Sequence, residues 1–252
     1  MSVSAIILAA GKGTRMKSDL PKVLHEVCGK PMVQYVIDRC REAGATRVVV
    51  VVGHKAGMVQ DAVDDNSGEM RFVLQEPQLG TGHAVMVCRE ELRQMDGPVL
   101  VLAGDGPLLR THTLKELIDT HVQKGAACTL ATSILPDPGH YGRIVRDENG
   151  DLVGIVEFVE ATEQQKAIHE VNVSLYCFDA KSLLGVLDRL SNDNPKGEYF
   201  LTDALEILRS DGKKLAAVAS VSPDDTISIN TVEELQQVDR IMAARNQQGQ
   251  ES

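Results

Sequence analysis

Arg47-Val48-Val49-Val50-Val51-Val52 sets five valines side by side with no polar residue among them. β-Branched side chains favour extended backbone, and successive side chains of a strand point to opposite faces. A half-buried strand alternates apolar with polar residues, so this run predicts a strand covered on both faces, as in the middle of a doubly wound sheet. Outward from it, Val3 to Ala10, Met70 to Gln75, Val99 to Ala103 and Ala126 to Ile134 read as further strands. Helix-period segments separate them. Pro31 opens one with the stripe Met32, Val33, Val36, Ile37 and Cys40, ended by Gly44, and Gly82 to Gln94 and Thr111 to Gln123 are two more. That alternation predicts an α/β fold with a mainly parallel sheet flanked by helices.

Beyond Pro136 the pattern changes. Arg143 to Arg146 and Leu152 to Phe158 flank Asp147-Glu148-Asn149-Gly150-Asp151, whose Asn-Gly pair signals a hairpin and so a small antiparallel annex. Helical periodicity returns at Lys181 to Leu190 and Tyr199 to Arg209, Leu215 to Ser220 reads as a strand, and Thr231 to Ala244 as a closing helix. One domain over 1–244 is expected, with halves 1–135 and 136–244, followed by a frayed tail at 245–252.

The 252 residues are 43% hydrophobic, enough for one large core, but only 3% aromatic with no Trp, so few rings are available to stack on bases. A formal net charge of -10 repels phosphate backbones and anionic membranes. No nucleic-acid or membrane partner is therefore predicted, and no feature of the sequence calls for a protein partner. Met1 to Ala10 lacks a basic n-region and no apolar run is long enough to span a bilayer, which makes the cytoplasm the expected location. Cys28, Cys40, Cys88, Cys128 and Cys177 are scattered singly, against a disulfide framework or zinc site.

The first strand runs into Leu8-Ala9-Ala10-Gly11-Lys12-Gly13-Thr14-Arg15-Met16, then Leu20-Pro21-Lys22. Small residues let backbone N–H groups approach a polyphosphate, the carboxyl end of a strand is where open α/β sheets bind ligands, and Arg15 and Lys22 can offset charge. It is not a P-loop, because Lys12 is followed by Gly13, nor a dinucleotide fingerprint, because Met16 stands where Gly is needed. A plain Gly-rich connection with two solvated cations is the bland alternative.

Gln75-Glu76-Pro77-Gln78-Leu79-Gly80-Thr81-Gly82-His83-Ala84 joins a strand to a helix, where amides and bare backbone can meet a base edge. His83, at the helix start, reads as a structural residue. Asp105, in Gly104-Asp105-Gly106-Pro107, ends a buried strand, where a lone carboxylate suits magnesium, which takes one or two protein oxygens besides phosphates and water. Asn230 with Glu233 three residues on reads by position as a helix capping box.

Leu8 to Met16 with Pro21-Lys22-Val23-Leu24, Gln75 to Ala84, Gly104 to Pro107, Tyr141-Gly142-Arg143, Gly154-Ile155-Val156-Glu157 and Gly197 to Asp203 follow in order along the chain. Together they resemble the sugar-1-phosphate nucleotidyltransferases, in particular the N-acetylglucosamine-1-phosphate uridyltransferase domains of bifunctional bacterial enzymes. The resemblance implies a Rossmann-like nucleotide-diphospho-sugar transferase fold, with 1–135 as the nucleotide-binding half and 136–244 as the sugar-binding half. It implies Mg²⁺-dependent transfer of UMP from UTP to a sugar 1-phosphate, with release of pyrophosphate. It gives catalytic roles to Arg15, Lys22 and Asp105, and nucleotide contacts to Leu8, Ala9, Ala10, Gly11, Gly13, Lys22, Gln75, Gln78, Gly80 and Thr81. Sugar contacts fall on Gly142, Glu157 and Asn172, and metal contacts on Asp105 and Asn230. The hexapeptide repeats of the acetyltransferase part of such enzymes do not occur in these residues, as in a stand-alone enzyme or a truncated form.

The chain departs from the family pattern at Val173-Ser174, where Thr-Gly is usual, at Val159, where a basic residue is common, and at Ser228, where Gly is usual. Another sugar 1-phosphate, such as glucose 1-phosphate, and a catalytically silent nucleotide-sugar-binding module are the competing readings.

Overall fold

A computed structural model describes residues 2–65 and 69–250, and in it the valine run lies within the strand Ala45–Val52. In chain order the strands are β1 (Val3–Ala9), β2 (Glu26–Val27), β3 (Lys30–Pro31), β4 (Ala45–Val52), β5 (Met70–Leu74), β6 (Pro98–Ala103), β7 (Cys128–Ile134), β8 (Arg143–Arg146), β9 (Leu152–Val156), β10 (Glu170–Asp179) and β11 (Leu215–Val218). The helices are α1 (Met32–Glu42), α2 (Ala56–Ala62), α3 (Thr81–Met86), α4 (Arg89–Leu92), α5 (Thr111–Lys124), α6 (Glu163–Lys166), α7 (Ala180–Val186), α8 (Asp203–Ser210) and α9 (Val232–Gln250). One sheet of nine strands runs β11-β7-β10-β6-β1-β4-β5, with the β8–β9 hairpin joined to β10, and β2 and β3 form a ribbon apart. The pairs β1–β4, β1–β6, β4–β5 and β7–β11 are parallel, whereas β10 runs antiparallel to both of its long neighbours, β6 and β7.

The valine run behaves as its sequence requires. Val49 and Val51 join Ile6, Val99 and Val101 in the core on one face, and Val48, Val50 and Val52 join Ala5, Ile7, Leu100 and Leu102 in the core on the other. Each buried Val stabilises the fold by about 1.5–3 kcal/mol, so this strand anchors both layers. A third, smaller cluster packs Met16, Leu108 and Ile229, from three remote segments, with Val238 and Met242 of α9. No helix among the described residues is long and apolar enough to cross a membrane.

Several elements differ from the sequence reading. The segment Gly82 to Gln94 is two short helices, α3 and α4, rather than one. Helix α8 begins at Asp203, because Tyr199 is held outside it: its N–H donates to Leu79 O at 2.8 Å and its carbonyl accepts from Gly82 N–H at 2.7 Å. The closing helix runs past Ala244 to Gln250, and Glu251 and Ser252 of the tail read as frayed lie outside the described residues. Strand β10, in the centre of the sheet, was not read at all. Its pairing with β7 shifts between Asn172 and Leu175, with Ser174 in the left-handed region at φ 56, and this bulge breaks the period-2 pattern that marks a strand.

Candidate active site

Strand order reverses at β1, with β4 on one side and β6 on the other, so the loops after β1 and after β6 border the crevice at the sheet's switch point. These loops are stitched to their neighbours by backbone. Gly104 N–H donates to Leu8 O at 2.9 Å and His54 N–H to Ala10 O at 3.2 Å, so the carbonyls of Leu8 and Ala10 serve the scaffold, and Ala9 is buried beside them. Gly13 has φ 60, and a Cβ added there would lie 2.5 Å from Lys22 Cβ, so only glycine lets the loop fold back onto Lys22. At Gly11 an added Cβ would meet nothing within 4 Å, which leaves this backbone open to a ligand.

Four sequence-predicted residues converge beside this loop. The Lys22 ammonium donates to Asp105 Oδ2 in a tight ion pair and to Asn230 Oδ1 at 3.0 Å, and Arg15 Nη2 donates to the same Asn230 Oδ1 at 2.9 Å. The Lys22 and Asp105 side chains are 16% and 13% exposed, so their attraction is less screened than at an open surface. Asp105 Oδ1 is buried and accepts no hydrogen bond. Leaving a buried carboxylate oxygen unsatisfied costs about 1–3 kcal/mol or more, and such an atom requires an explanation.

A divalent cation supplies one, and the donor set fits it. Asp105 and Asn230 aim hard oxygens at one cationic point, held by the Lys22 ammonium, and a second carboxylate oxygen stands ready. No group of three or more His, Cys, Asp or Glu occurs together among the described residues.

The capping box at Asn230 is corrected by the structure. Thr231 Oγ1 accepts from Glu234 N–H at 3.2 Å, and Glu234 Oε2 accepts from the N–H groups of Thr231 at 2.9 Å and Asn230 at 2.6 Å. The box sits one residue later than read, on Thr231 and Glu234. This frees the Asn230 side-chain oxygen for Arg15 and Lys22 while its Nδ2 donates to Ser228 O at 3.1 Å. Ser228 thus contributes through its carbonyl.

Along the neighbouring loop, Gln75 is 3% exposed, and its Nε2 donates to Gly80 O at 2.9 Å and lies 3.3 Å from His83 Nδ1. Gln78 Nε2 donates to Gln75 O at 3.3 Å. His83 is thereby a partner of the loop, in keeping with its structural reading. Thr81 Oγ1 accepts from Leu201 N–H at 3.1 Å, and Gly80, at φ 100, lies so close to Tyr199 that an added Cβ would be 2.5 Å from its carbonyl oxygen. Gly197 to Asp203 therefore acts as a clamp on this loop. Gly53, which the sequence reading passed over, closes the other side: a Cβ there would lie 2.7 Å from Gln78 Nε2 and 2.8 Å from Ala10 O. A glycine directly after a valine run, at the carboxyl end of a central strand, was the available signal.

Gly142, Glu157 and Asn172 also come together. Asn172 N–H donates to Gly142 O at 2.9 Å, and a Cβ on Gly142 would lie 2.9 Å from Ile155 Cγ2 and 3.5 Å from Glu157 Oε1. Asn172 is buried, with Nδ2 donating to the Tyr176 hydroxyl at 3.0 Å and Oδ1 accepting from Ser174 N–H at 3.1 Å. Burial pushes the Tyr176 hydroxyl up to about 12, against hydrogen bonds from Asn172 and Ser174 that pull it down. Arg143, 2% exposed, spends its guanidinium on the carbonyls of Lys166, Pro138, Tyr141 and Gly139, fixing the turn that presents Gly142. Arg143 was visible only as part of the Tyr141-Gly142-Arg143 motif, and Tyr176 carried no recognisable signal. Val159 is 88% exposed.

The nucleotidyl transferase family matches residues 4–226. The chain is similar to the bifunctional protein GlmU of Caldanaerobacter subterraneus subsp. tengcongensis, 45% identical over 241 residues, 96% of this chain and 52% of that protein. It is also similar to the bifunctional proteins GlmU of Clostridium novyi, 46% identical over 97% of this chain and 53% of that protein, and of Bacillus cereus strain G9842, 46% identical over 96% and 52%. The chain spans about half the length of the curated relatives it matches.

Proposed function

The chain belongs to the nucleotidyl transferase family, and from that premise we propose that it joins UTP to N-acetylglucosamine 1-phosphate, releasing pyrophosphate and UDP-N-acetylglucosamine, with Mg²⁺ as cofactor. The observation that carries this reading is the meeting of Arg15, Lys22, Asp105 and Asn230 around an unsatisfied carboxylate oxygen beside an open glycine loop. Kinship with proteins named bifunctional GlmU supports the sugar assignment.

In this mechanism the phosphate oxygen of the sugar attacks the α-phosphorus of UTP in line, its P–O bond forms as the bond to pyrophosphate breaks, and no covalent enzyme intermediate arises. Asp105 and Asn230 would hold Mg²⁺, which when bound would supply charge neutralisation to the reacting phosphates. Arg15 offsets charge building on the leaving pyrophosphate, and Lys22 steadies the phosphates. The backbone at Gly11 and Gly13 admits the triphosphate, while Gln75, Gln78, Gly80 and Thr81 line the uracil. Gly142, Glu157 and Asn172 bind the sugar, with the carboxylate accepting from its hydroxyls. Fixed positions for both reactants convert a bimolecular encounter into an effectively unimolecular step.

One feature favours a second reading, transfer to a different sugar 1-phosphate. Asn172 is already bonded at both ends, by Tyr176 and by the left-handed Ser174, which changes what a substituent on the sugar can meet. Pyrophosphate release, measured with Mg²⁺, each nucleoside triphosphate and a panel of sugar 1-phosphates, tests both. UTP with N-acetylglucosamine 1-phosphate is expected to be the fastest pair. A faster pair with another sugar replaces the substrate, and release from no pair sinks the enzymatic reading.

A further inference from the structure

Away from the crevice, a cavity of about 640 Å³ opens where the first turn of α5 meets α9. Arg39, Arg110, His112, Lys115 and Arg245 line it, a concentration of positive charge in a chain of formal net charge -10. Two carboxylates answer them. Asp225, its side chain 1% exposed, is shared by Arg110 Nε at 2.9 Å and Arg245 Nη2 at 2.5 Å, and Glu42 pairs with Arg39 at 2.6 Å. Lys115 is exposed and, among the described residues, its side chain has neither ion pair nor hydrogen bond.

Four permanent cations thus stand against two carboxylates, with His112 beside them. Cations gathered around a concavity raise the local concentration of anions, and guanidinium forks match phosphate oxygens in pairs. We propose that this cavity binds a small phosphate-bearing anion of at least two negative charges, at a site distinct from the crevice. The binding itself does not depend on the substrates assigned above.

The site's connections give it a means of reaching the crevice. Arg110 follows Asp105 on one segment, and Asp225 precedes Asn230 on another. Arg245 Nη1 also donates to Leu108 O at 3.1 Å, and Leu108 packs with Met16, Ile229 and Met242. An anion that draws Arg110 and Arg245 from Asp225 pulls on the two segments that carry the crevice oxygens.

Calorimetric titration with inorganic phosphate at low ionic strength tests the site, with sodium chloride at matched ionic strength as the blank. Uptake is expected to persist in an Arg15→Ala/Lys22→Ala double variant and to weaken by about 10-fold or more in Lys115→Glu, the size of one charge-assisted contact. Lys115→Ala weakens it less, and unchanged melting of both Lys115 variants shows that the fold is intact. The proposal is overturned if Lys115→Glu binds phosphate as tightly as the unaltered chain. It is also overturned if uptake vanishes only with Arg15 and Lys22, or if the unaltered chain takes up none at about 10 mM phosphate.

Discussion

The region around Asp105 and the region around Asn172 hang from the same sheet, yet they hold their polar groups in opposite ways. At Asp105, charged and amide groups from three remote segments crowd together, one buried carboxylate oxygen lacks a partner, and the neighbouring Gly11 backbone is open. At Asn172, the amide is bonded to Tyr176 and Ser174, and Arg143 is absorbed by carbonyls. The first region leaves a carboxylate oxygen unpaired, whereas the second has its buried polar groups paired, with one exposed carboxylate, Glu157, at its edge. Loss of charge at the first should act on rate, and changes at the second on substrate affinity.

Asp105→Ala should separate the two regions most sharply. Pyrophosphate release is expected to fall by about 1,000-fold in kcat, the scale of losing a preorganised electrostatic contact in a closed site, while thermal melting moves little. Near-normal turnover in this variant would remove Asp105 from the chemistry. Glu157→Gln is expected to act the other way, raising KM for the sugar phosphate about 10- to 100-fold with kcat nearly unchanged. Steady-state kinetics with the sugar phosphate varied reads this, and an equal fall in kcat would place Glu157 with the rate-determining groups.

Gly53→Ala probes packing on the Asp105 side. Its new Cβ must displace Ala10 O and Gln78 Nε2, so chemical denaturation should show a loss of about 1–3 kcal/mol, the usual penalty of overpacking. Unaltered stability would mean that the loops give way freely there.

The smallest effect concerns how the hairpin is tied to the sheet, through Arg146, whose Nη2 and Nε reach Glu170 at 2.6 and 2.8 Å. Burial pushes the Glu170 carboxyl up, but hydrogen bonds from Arg146 and Thr132 and the guanidinium charge outweigh it and hold the group below its ordinary value. Its folded pKa is therefore lower than its unfolded one. The stability it contributes is present above about pH 4.5, its unfolded value, and is lost as pH falls through the lower folded value. Melting curves of Glu170→Gln should show a shallower decline in stability below that point than the unaltered chain, and an identical acid limb would count against this tie.

The Asp105 side was the more legible in sequence because its chemistry follows from position along the chain. Apolar runs such as Val48–Val52 locate the strands, and the charged or glycine-rich residues at their carboxyl ends fall where open sheets bind ligands. The Thr231/Glu234 box was visible as a pattern and misplaced by one residue, because Asn230 and Glu233 satisfy the same spacing. The Asn172 side was legible only through family motifs. Its strand β10 contains a bulge that spoils the alternation, and Tyr176 and Arg143 matter through contacts made only once the hairpin has folded. The cations around Asp225 come from α1, from α5 and Arg110 just before it, and from α9, and share no spacing that periodicity could detect.

Met16, Leu108 and Ile229 find common ground only against Val238 and Met242 of α9. A chain leaving the ribosome can lay down every strand through Val218 before that buttress has been synthesised. Until then, the segments bearing Arg15 and Asp105 lack both Asn230 and the floor on which they rest. Docking of α9 joins these three segments in one step, so a nascent chain can hold a complete sheet before the cleft beside it is assembled.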